Sequence, residues 1–387
     1  MVVVDQLTET QIVALLRDLV QTRSFNPPGE EAAVGSKVAD WLRRTGLVVT
    51  VQPISGERAN VVGRLPGDGT RPALLLCAHQ DTVPPGSALW SHEPLGGEII
   101  DGRLYGRGAL DTKASLTAMM AAAQAVRAAG VRLHGDLIVL ATVDEESMGQ
   151  GAQGFLEGGG MEGVGAVVIG EPTSLDIVIA HRGALWLEIT TQGKAAHGAM
   201  PELGVNAILP MAAILGRLGQ YSFVHAPDPL LRPPTINVAT IQGGVKTNMV
   251  PDHCQATVDI RTVPGQSHAS ILAEVRRLAS EVAREWSGLR VDVQAINDKP
   301  PLATPSNAAL IEAAAEVAES VLGRKPAIRG APYLTDGSLL AGTTNTPAII
   351  CGPGPETLAH QADEYIELAE VFAAVRLYTD LAFRLLA

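Results

Sequence analysis

The sequence predicts an α/β protein: a mainly parallel-sheet domain interrupted by a smaller α+β domain. Three observations carry this. Short apolar runs at Ala73–Cys77, Leu137–Val143, Ala166–Ile169 and Pro347–Cys351 have the length and continuity of buried strands. Helical patterns alternate with them, as a parallel sheet requires. The middle of the chain changes character, to half-polar strands and amphipathic helices in the order β-α-β-β-α-β, the split pattern of a ferredoxin-like domain. At 387 residues the chain has room for two or three domains.

The elements follow in order. Thr8 and Gln11 make a capping-box pattern ahead of Ile12, Leu15, Leu16 and Leu19 at helical spacing. Asn26-Pro-Pro-Gly29 ends that helix, and a second is expected from Glu30 to Arg44, leading into a strand at Val48–Val51. Thr112 to Ala129 is rich in Ala and Met and stops at Gly130, which predicts a buried helix. Strands are expected at Leu185–Thr191, Thr235–Gln242, Gln255–Arg261 and Leu289–Ala295, and helices at Asn206–Leu218 and Ser267–Glu285. The inserted domain is therefore placed at 183–294, between main-domain segments 1–182 and 295–387. The main domain resumes near Lys299 with a helix at Asn307–Leu322.

Composition excludes several classes. A 46% apolar, 18% charged chain is not disordered, and no apolar run is long enough for a membrane helix. Residues Met1–Asp5 lack the basic start and long apolar stretch of a signal peptide. With 40 Gly and 25 Pro but no three-residue period, the chain has many tight turns and is not collagenous. A net charge of −12 speaks against nucleic-acid or anionic-membrane binding by general electrostatics. Cys77, Cys254 and Cys351 lie far apart in apolar contexts and read as buried thiols of a cytoplasmic protein.

The chemistry sits just after the apolar runs. His79-Gln-Asp81 follows the first, Asp144-Glu145-Glu146 the second, Gly170-Glu171-Pro172 the third, and a Gly/Pro turn leading to His360 the fourth. Sites in open α/β sheets lie outside the carboxyl ends of strands, so these four segments converge on one edge. A fifth, Gly106 to Lys113, puts Asp111 at the start of the Ala/Met helix, where the helix dipole favours an anion. Singly, each residue has an ordinary role: a hydrogen-bonded His79, a solvated acidic turn, a capping Asp111, a turn residue Glu171, a surface His360. Jointly, two His and several carboxylates make a pair of divalent-metal sites. Two ions would share one carboxylate and a hydroxide, and a nearby carboxylate would move the proton to the leaving amine.

These segments resemble the two-metal amidohydrolase and peptidase family of acetylornithine deacetylase, succinyl-diaminopimelate desuccinylase, aminoacylase and glutamate carboxypeptidase. The resemblance spans the whole chain. It is most specific at His79-Gln-Asp81-Thr-Val-Pro84, Gly106-Arg-Gly108-Ala-Leu-Asp111-Thr-Lys113, Asp144-Glu145-Glu146 and Ala359-His360-Gln-Ala-Asp-Glu-Tyr365. It implies a zinc-peptidase-like catalytic domain and a lid and dimerisation domain. It implies that His79 and Glu171 hold one metal, Glu146 and His360 the other, and that Asp111 bridges both. Asp81 would orient His79, and Glu145 would be the general base and then acid. In the inserted domain, His197 would polarise the scissile carbonyl in the partner subunit of a homodimer. Asn248 and Arg261 would hold the substrate's carbonyl or carboxylate.

Two departures bear on substrate. The stretch Gly330-Ala-Pro-Tyr-Leu-Thr335-Asp336-Gly337-Ser338 lacks the Gly-Gly and the Arg of the desuccinylases, and Gly170-Glu171-Pro-Thr resembles the deacetylase branch. The expectation is an N-acyl-amino-acid deacylase of the acetylornithine-deacetylase kind, with Thr335, Asp336 and Ser338 lining the pocket. The expected metal is zinc, with cobalt or manganese as alternatives, and the expected substrate a small amide with a free carboxylate. A carboxypeptidase or dipeptidase on the same site is the enzymatic rival, and a catalytically silent metal-binding scaffold the rival of another class.

Overall fold

The computed structural model describes residues 8–387, so the expectation for Met1–Asp5 lies outside the described residues. The chain folds as two compact units. One comprises the chain up to Ala180 with Ala303–Gly330 and Thr335–Ala387; the other comprises His181–Leu302 with Ala331–Leu334.

The first unit is a mixed α/β fold. Its central sheet has the parallel strands Leu137–Thr142, Ala73–His79, Val164–Ile169 and Ala348–Ile350 side by side in that order. These are the four apolar runs, and three of them are buried at nearly every residue. Antiparallel strands flank them: Val48–Ser55 and Arg58–Leu65 on one side, Ile177–His181 on the other. The predicted capping box on Thr8 is present, and the helix Glu9–Val20 buries Ile12, Leu16 and Leu19. Lys113–Ala128 is buried on almost every face and packs against Glu9–Val20 and Leu368–Leu386. Small Ala side chains let its neighbours approach closely. Fully buried Leu116, Met119 and Met120 each contribute about 1.5–3 kcal/mol relative to exposure.

A small antiparallel sheet of Tyr365–Glu367, Arg103–Tyr105 and Glu98–Ile100 ties two loops of this unit together. Arg58–Leu65, Ile177–His181 and Leu368–Leu386 carry no expectation from the sequence. The last buries Val371, Val375, Tyr378 and Leu381 against the sheet-side core.

The second unit has one four-stranded antiparallel sheet, ordered Thr235–Gly243, His253–Thr262, Gly183–Gln192, Arg290–Lys299. Ile208–Leu218 and His268–Arg284 pack on one face of it, around Leu187, Ile189, Val258 and Ile260. Ser267 caps the second of these helices by accepting the Ser270 N–H. The strand Arg290–Lys299 runs past residue 294 because its pairing with Gly183–Gln192 continues to Ala184. Cys77, Cys254 and Cys351 are buried free thiols. No helix among the described residues is long and apolar enough to cross a membrane.

Candidate metal centre

The carboxyl edge of the parallel sheet gathers the ligand candidates, because each strand hands over to a loop there. His79 is the last residue of its strand. Its Nδ1–H donates to the Asp81 carbonyl at 2.8 Å, which turns Nε2 towards the neighbouring carboxylates. Nε2 lies 3.0 Å from Asp111 Oδ1 and 3.6 Å from Glu171 Oε1. The Asp81 carboxylate, expected to orient this imidazole, is 3.6 Å from Nδ1; the backbone oxygen of the same residue takes the proton instead. The carboxylate accepts the N–H groups of Glu145 and Glu146 at 3.3 and 3.1 Å, and so holds the acidic turn.

A second group forms beside the first. His360 Nε2 lies 3.1 Å from Glu146 Oε1 and 3.3 Å from Asp111 Oδ2. Two sets of potential ligand atoms result, His79–Asp111–Glu171 and Asp111–Glu146–His360, each within 4.8 Å. Asp111 gives one oxygen to each. Its loop is held by Glu364, whose carboxylate accepts the Leu110 and Asp111 N–H groups and pairs with buried Arg107. Glu364 lies between His360 and the strand Tyr365–Glu367, so one side chain ties the Asp111 loop to the His360 loop.

The electrostatics describe a centre short of positive charge. Burial and the neighbouring Asp111 push the Glu171 carboxyl well up, and Glu145 and Glu146 add to this. Burial and Asp111 also raise Glu146. Burial would raise Asp111 too, but His360 and His79 outweigh it and hold its carboxyl well below the usual range. His360 is pushed up to about 10 by Asp111 and Glu146. Crowded carboxylates and two imidazoles are the donor set that divalent cations of the zinc, cobalt and manganese kind accept, so the residues fit a metal pair. Glu145 directly precedes ligand candidate Glu146, and the Asp81 carboxylate holds the N–H groups of both.

Thr335, Asp336 and Ser338 are buried in the same unit, and Asp336 accepts the Thr142 hydroxyl at 2.6 Å, at the end of the strand that leads to Glu145. In the other unit, His197 and Asn248 come together: His197 pairs with Met249 and Gly198 N–H donates to the Asn248 carbonyl at 2.8 Å. His197 is exposed, and its Nδ1 accepts the Ala199 N–H at 3.1 Å, which sets Nε2 as the proton-bearing nitrogen. Arg261 is half-buried and pairs with Asp259 at 3.0 Å. Arg182 lies close enough to Arg261 for the two cations to repel.

Sequence alone suggests no role at this centre for Asn26, Arg58, Arg107 or Glu364. Glu364 and Arg107 lie inside the motifs quoted above, but only the structure shows that they form a buried ion pair. Asn26 and Arg58 are single residues far apart in the chain, with no spacing to reveal them.

Known structures share this architecture. The aminopeptidase PepT of Bacillus cereus is 23% identical with a TM-score of 0.75, covering 97% of this chain and 98% of that one. The M20 family metallo-carboxypeptidase Sso-CP2 of Sulfolobus solfataricus is 18% identical with a TM-score of 0.78, covering 96% and 98%. The YXEP protein of Bacillus subtilis, described as a dinuclear metal binding peptidase from the M20 family, is 17% identical with a TM-score of 0.72, covering 97% and 98%. At these identities the likeness is one of fold. The family itself is shown by the sequence: the model of Peptidase family M20/M25/M40 matches residues 75–384, and the chain belongs to that family of hydrolases acting on amide bonds.

Proposed function

We propose that this chain hydrolyses the amide bond of an N-acyl-amino acid, releasing a carboxylic acid and a free amino acid. The observation that carries the reading is the paired arrangement in which Asp111 serves both His79–Glu171 and Glu146–His360, with Glu145 next to Glu146 in the turn that Asp81 holds. Two divalent ions bound there, zinc first and cobalt or manganese as alternatives, would supply Lewis acidity and lower the pKa of water. The Glu145 carboxylate accepts the proton of the attacking water and delivers it to the departing amine nitrogen. Asp81 fixes the Glu145 and Glu146 main chain and, through its carbonyl, the His79 ring.

In the proposal, His197 donates from Nε2 to the scissile carbonyl in the site of a second copy, and Asn248 assists it. Arg261 takes the substrate carboxylate, for which its planar fork is suited. Thr335, Asp336 and Ser338 shape the pocket. The protein acts in the cytoplasm on a small-molecule substrate. Glu171 in the sequence Gly170-Glu171-Pro-Thr, as in the deacetylases it resembles, supports deacylation. Solved structures of an aminopeptidase and a metallo-carboxypeptidase share the fold and support exopeptidase action on the same site equally well.

A panel of N-acetyl, N-succinyl and longer N-acyl amino acids beside dipeptides separates the two. Metal-dependent release of amine from one acyl series is expected. Cleavage of dipeptides alone would overturn the deacylase reading and leave the site assignment standing.

A further inference from the structure

Asn26 lies outside the ligand set, in the turn that follows the first helix, yet it touches two carboxylates behind the metal centre. Its Nδ2 donates to Asp81 Oδ2 at 2.8 Å and to Asp144 Oδ1 at 3.0 Å. All three residues are buried. Both neighbours are acceptors, so the amide must turn its nitrogen towards them. The backbone is held as well: Asn26 N–H donates to the Thr82 carbonyl at 2.8 Å, and Thr82 N–H to the Ser24 carbonyl at 2.9 Å.

The two carboxylates control the acidic turn from opposite ends. Asp81 accepts the Glu145 and Glu146 N–H groups. Asp144 occupies the left-handed region at φ 68°, a conformation that costs a non-glycine residue, and is held there by Arg58 and the Gln150 N–H. Two buried like charges repel strongly at low dielectric unless a donor sits between them. Arg58 offsets the charge on Asp144, and Asn26 is the donor that bonds to both carboxylates.

We propose that Asn26 is a positioning residue for the Glu146–His360 half of the metal centre, an inference that rests on the two-metal reading above. It clamps Asp81 to Asp144 and thereby fixes the direction in which Glu145 and Glu146 leave the turn. The His79–Asp111–Glu171 half depends on it less, because Asp111 is held by Glu364 and the His79 ring by the Asp81 main-chain carbonyl, whose position is set by the flanking Gln80 and Thr82 N–H bonds to the Thr142 and Ser24 carbonyls and not by the Asp81 side chain. Asn26→Asp replaces the shared donor with a third carboxylate at constant shape; Asn26→Ser keeps one donor and is the milder change.

The test is a Co2+ absorbance titration of metal-stripped protein, with His360→Ala as the reference for an ion bound only at the His79 half. For Asn26→Asp the expected result is one ion retained with the spectrum of the His360→Ala protein, and the other weakened at least about tenfold, the size usual for residues supporting metal ligands. Asn26→Ser loses less. On the best substrate of the panel, kcat falls at least about tenfold while KM stays within about threefold, because substrate contacts are untouched. Two ions bound at parental affinity, or both ions weakened together in folded protein, overturns the proposal. If Asn26→Asp does not fold, the folded Asn26→Ser protein decides by the same two readouts. Failure of the parent to take up Co2+ overturns the two-metal reading itself, and this inference with it.

Discussion

A buried histidine outside the ligand set shows how single-residue environments set the response to pH. His181 ends the strand Ile177–His181, is fully buried, and donates from Nδ1 to the Arg182 carbonyl at 2.9 Å. Burial pushes it down to about 4 from an ordinary value of 6.5. The folded chain therefore keeps it neutral while the unfolded chain protonates it as pH falls through 6.5. This contribution to stability is whole above pH 6.5 and is lost progressively as pH falls towards 4, up to about 3 kcal/mol. The unfolding free energy of the parent should drop faster than that of His181→Gln between pH 6.5 and 4.5, so that the gap between them narrows. Parallel curves from denaturant titrations would contradict this. The candidate ligands His79, Asp111, Glu146 and Glu171 were legible at the same scale, each close to the end of an apolar run or the start of a helix, and the structure groups them with His360. Asn26 and Arg58 were not legible, since a hydrogen bond spanning 55 residues, as between Asn26 and Asp81, leaves no local pattern.

Among elements, the close packing of the Lys113–Ala128 helix on the sheet edge sets where Glu171 can sit. A Cβ on Gly170 would meet Ser115 Cβ at 2.6 Å and Met119 Cε at 3.0 Å, both on that helix. Gly170→Ala should displace the Gly170–Glu171 segment and destabilise the protein by about 1–3 kcal/mol through overpacking. The His79–Asp111–Glu171 half should also bind its ion more weakly, which thermal melts and Co2+ titration would read. An unchanged melting temperature with both ions bound would show that the helix yields at no cost. The apolar runs were legible as strands because a parallel strand covered on both faces must be apolar throughout. Arg58–Leu65 and Leu368–Leu386 were not. The first mixes Arg58, Asn60 and Arg64 with its apolar residues, and Asn60 is spent on the main chain of Gly151 and Val143. The second carries polar residues between its buried positions and follows the strand Tyr365–Glu367 directly, with no side-chain cap at its start.

For the whole molecule, the exposed strand Thr235–Gly243 bears on the proposed homodimer. It is an edge strand of its sheet and exposed almost throughout, with Val238 and Ile241 among the exposed residues. Edge strands of this length invite pairing with another chain. Light scattering should give about twice the chain mass of 40.4 kDa, and Ile241→Lys should shift it towards the monomer. A parent at 40.4 kDa would exclude the homodimer. The most direct measurement of the central claim is metal content and amide hydrolysis on the same preparations of parent and Glu145→Gln. Metal-stripped parent should be inactive, zinc, cobalt or manganese should restore it at two ions per chain, and Glu145→Gln should bind both ions with turnover at least about a hundredfold lower. Turnover without metal, or Glu145→Gln at the parental rate, would contradict that claim.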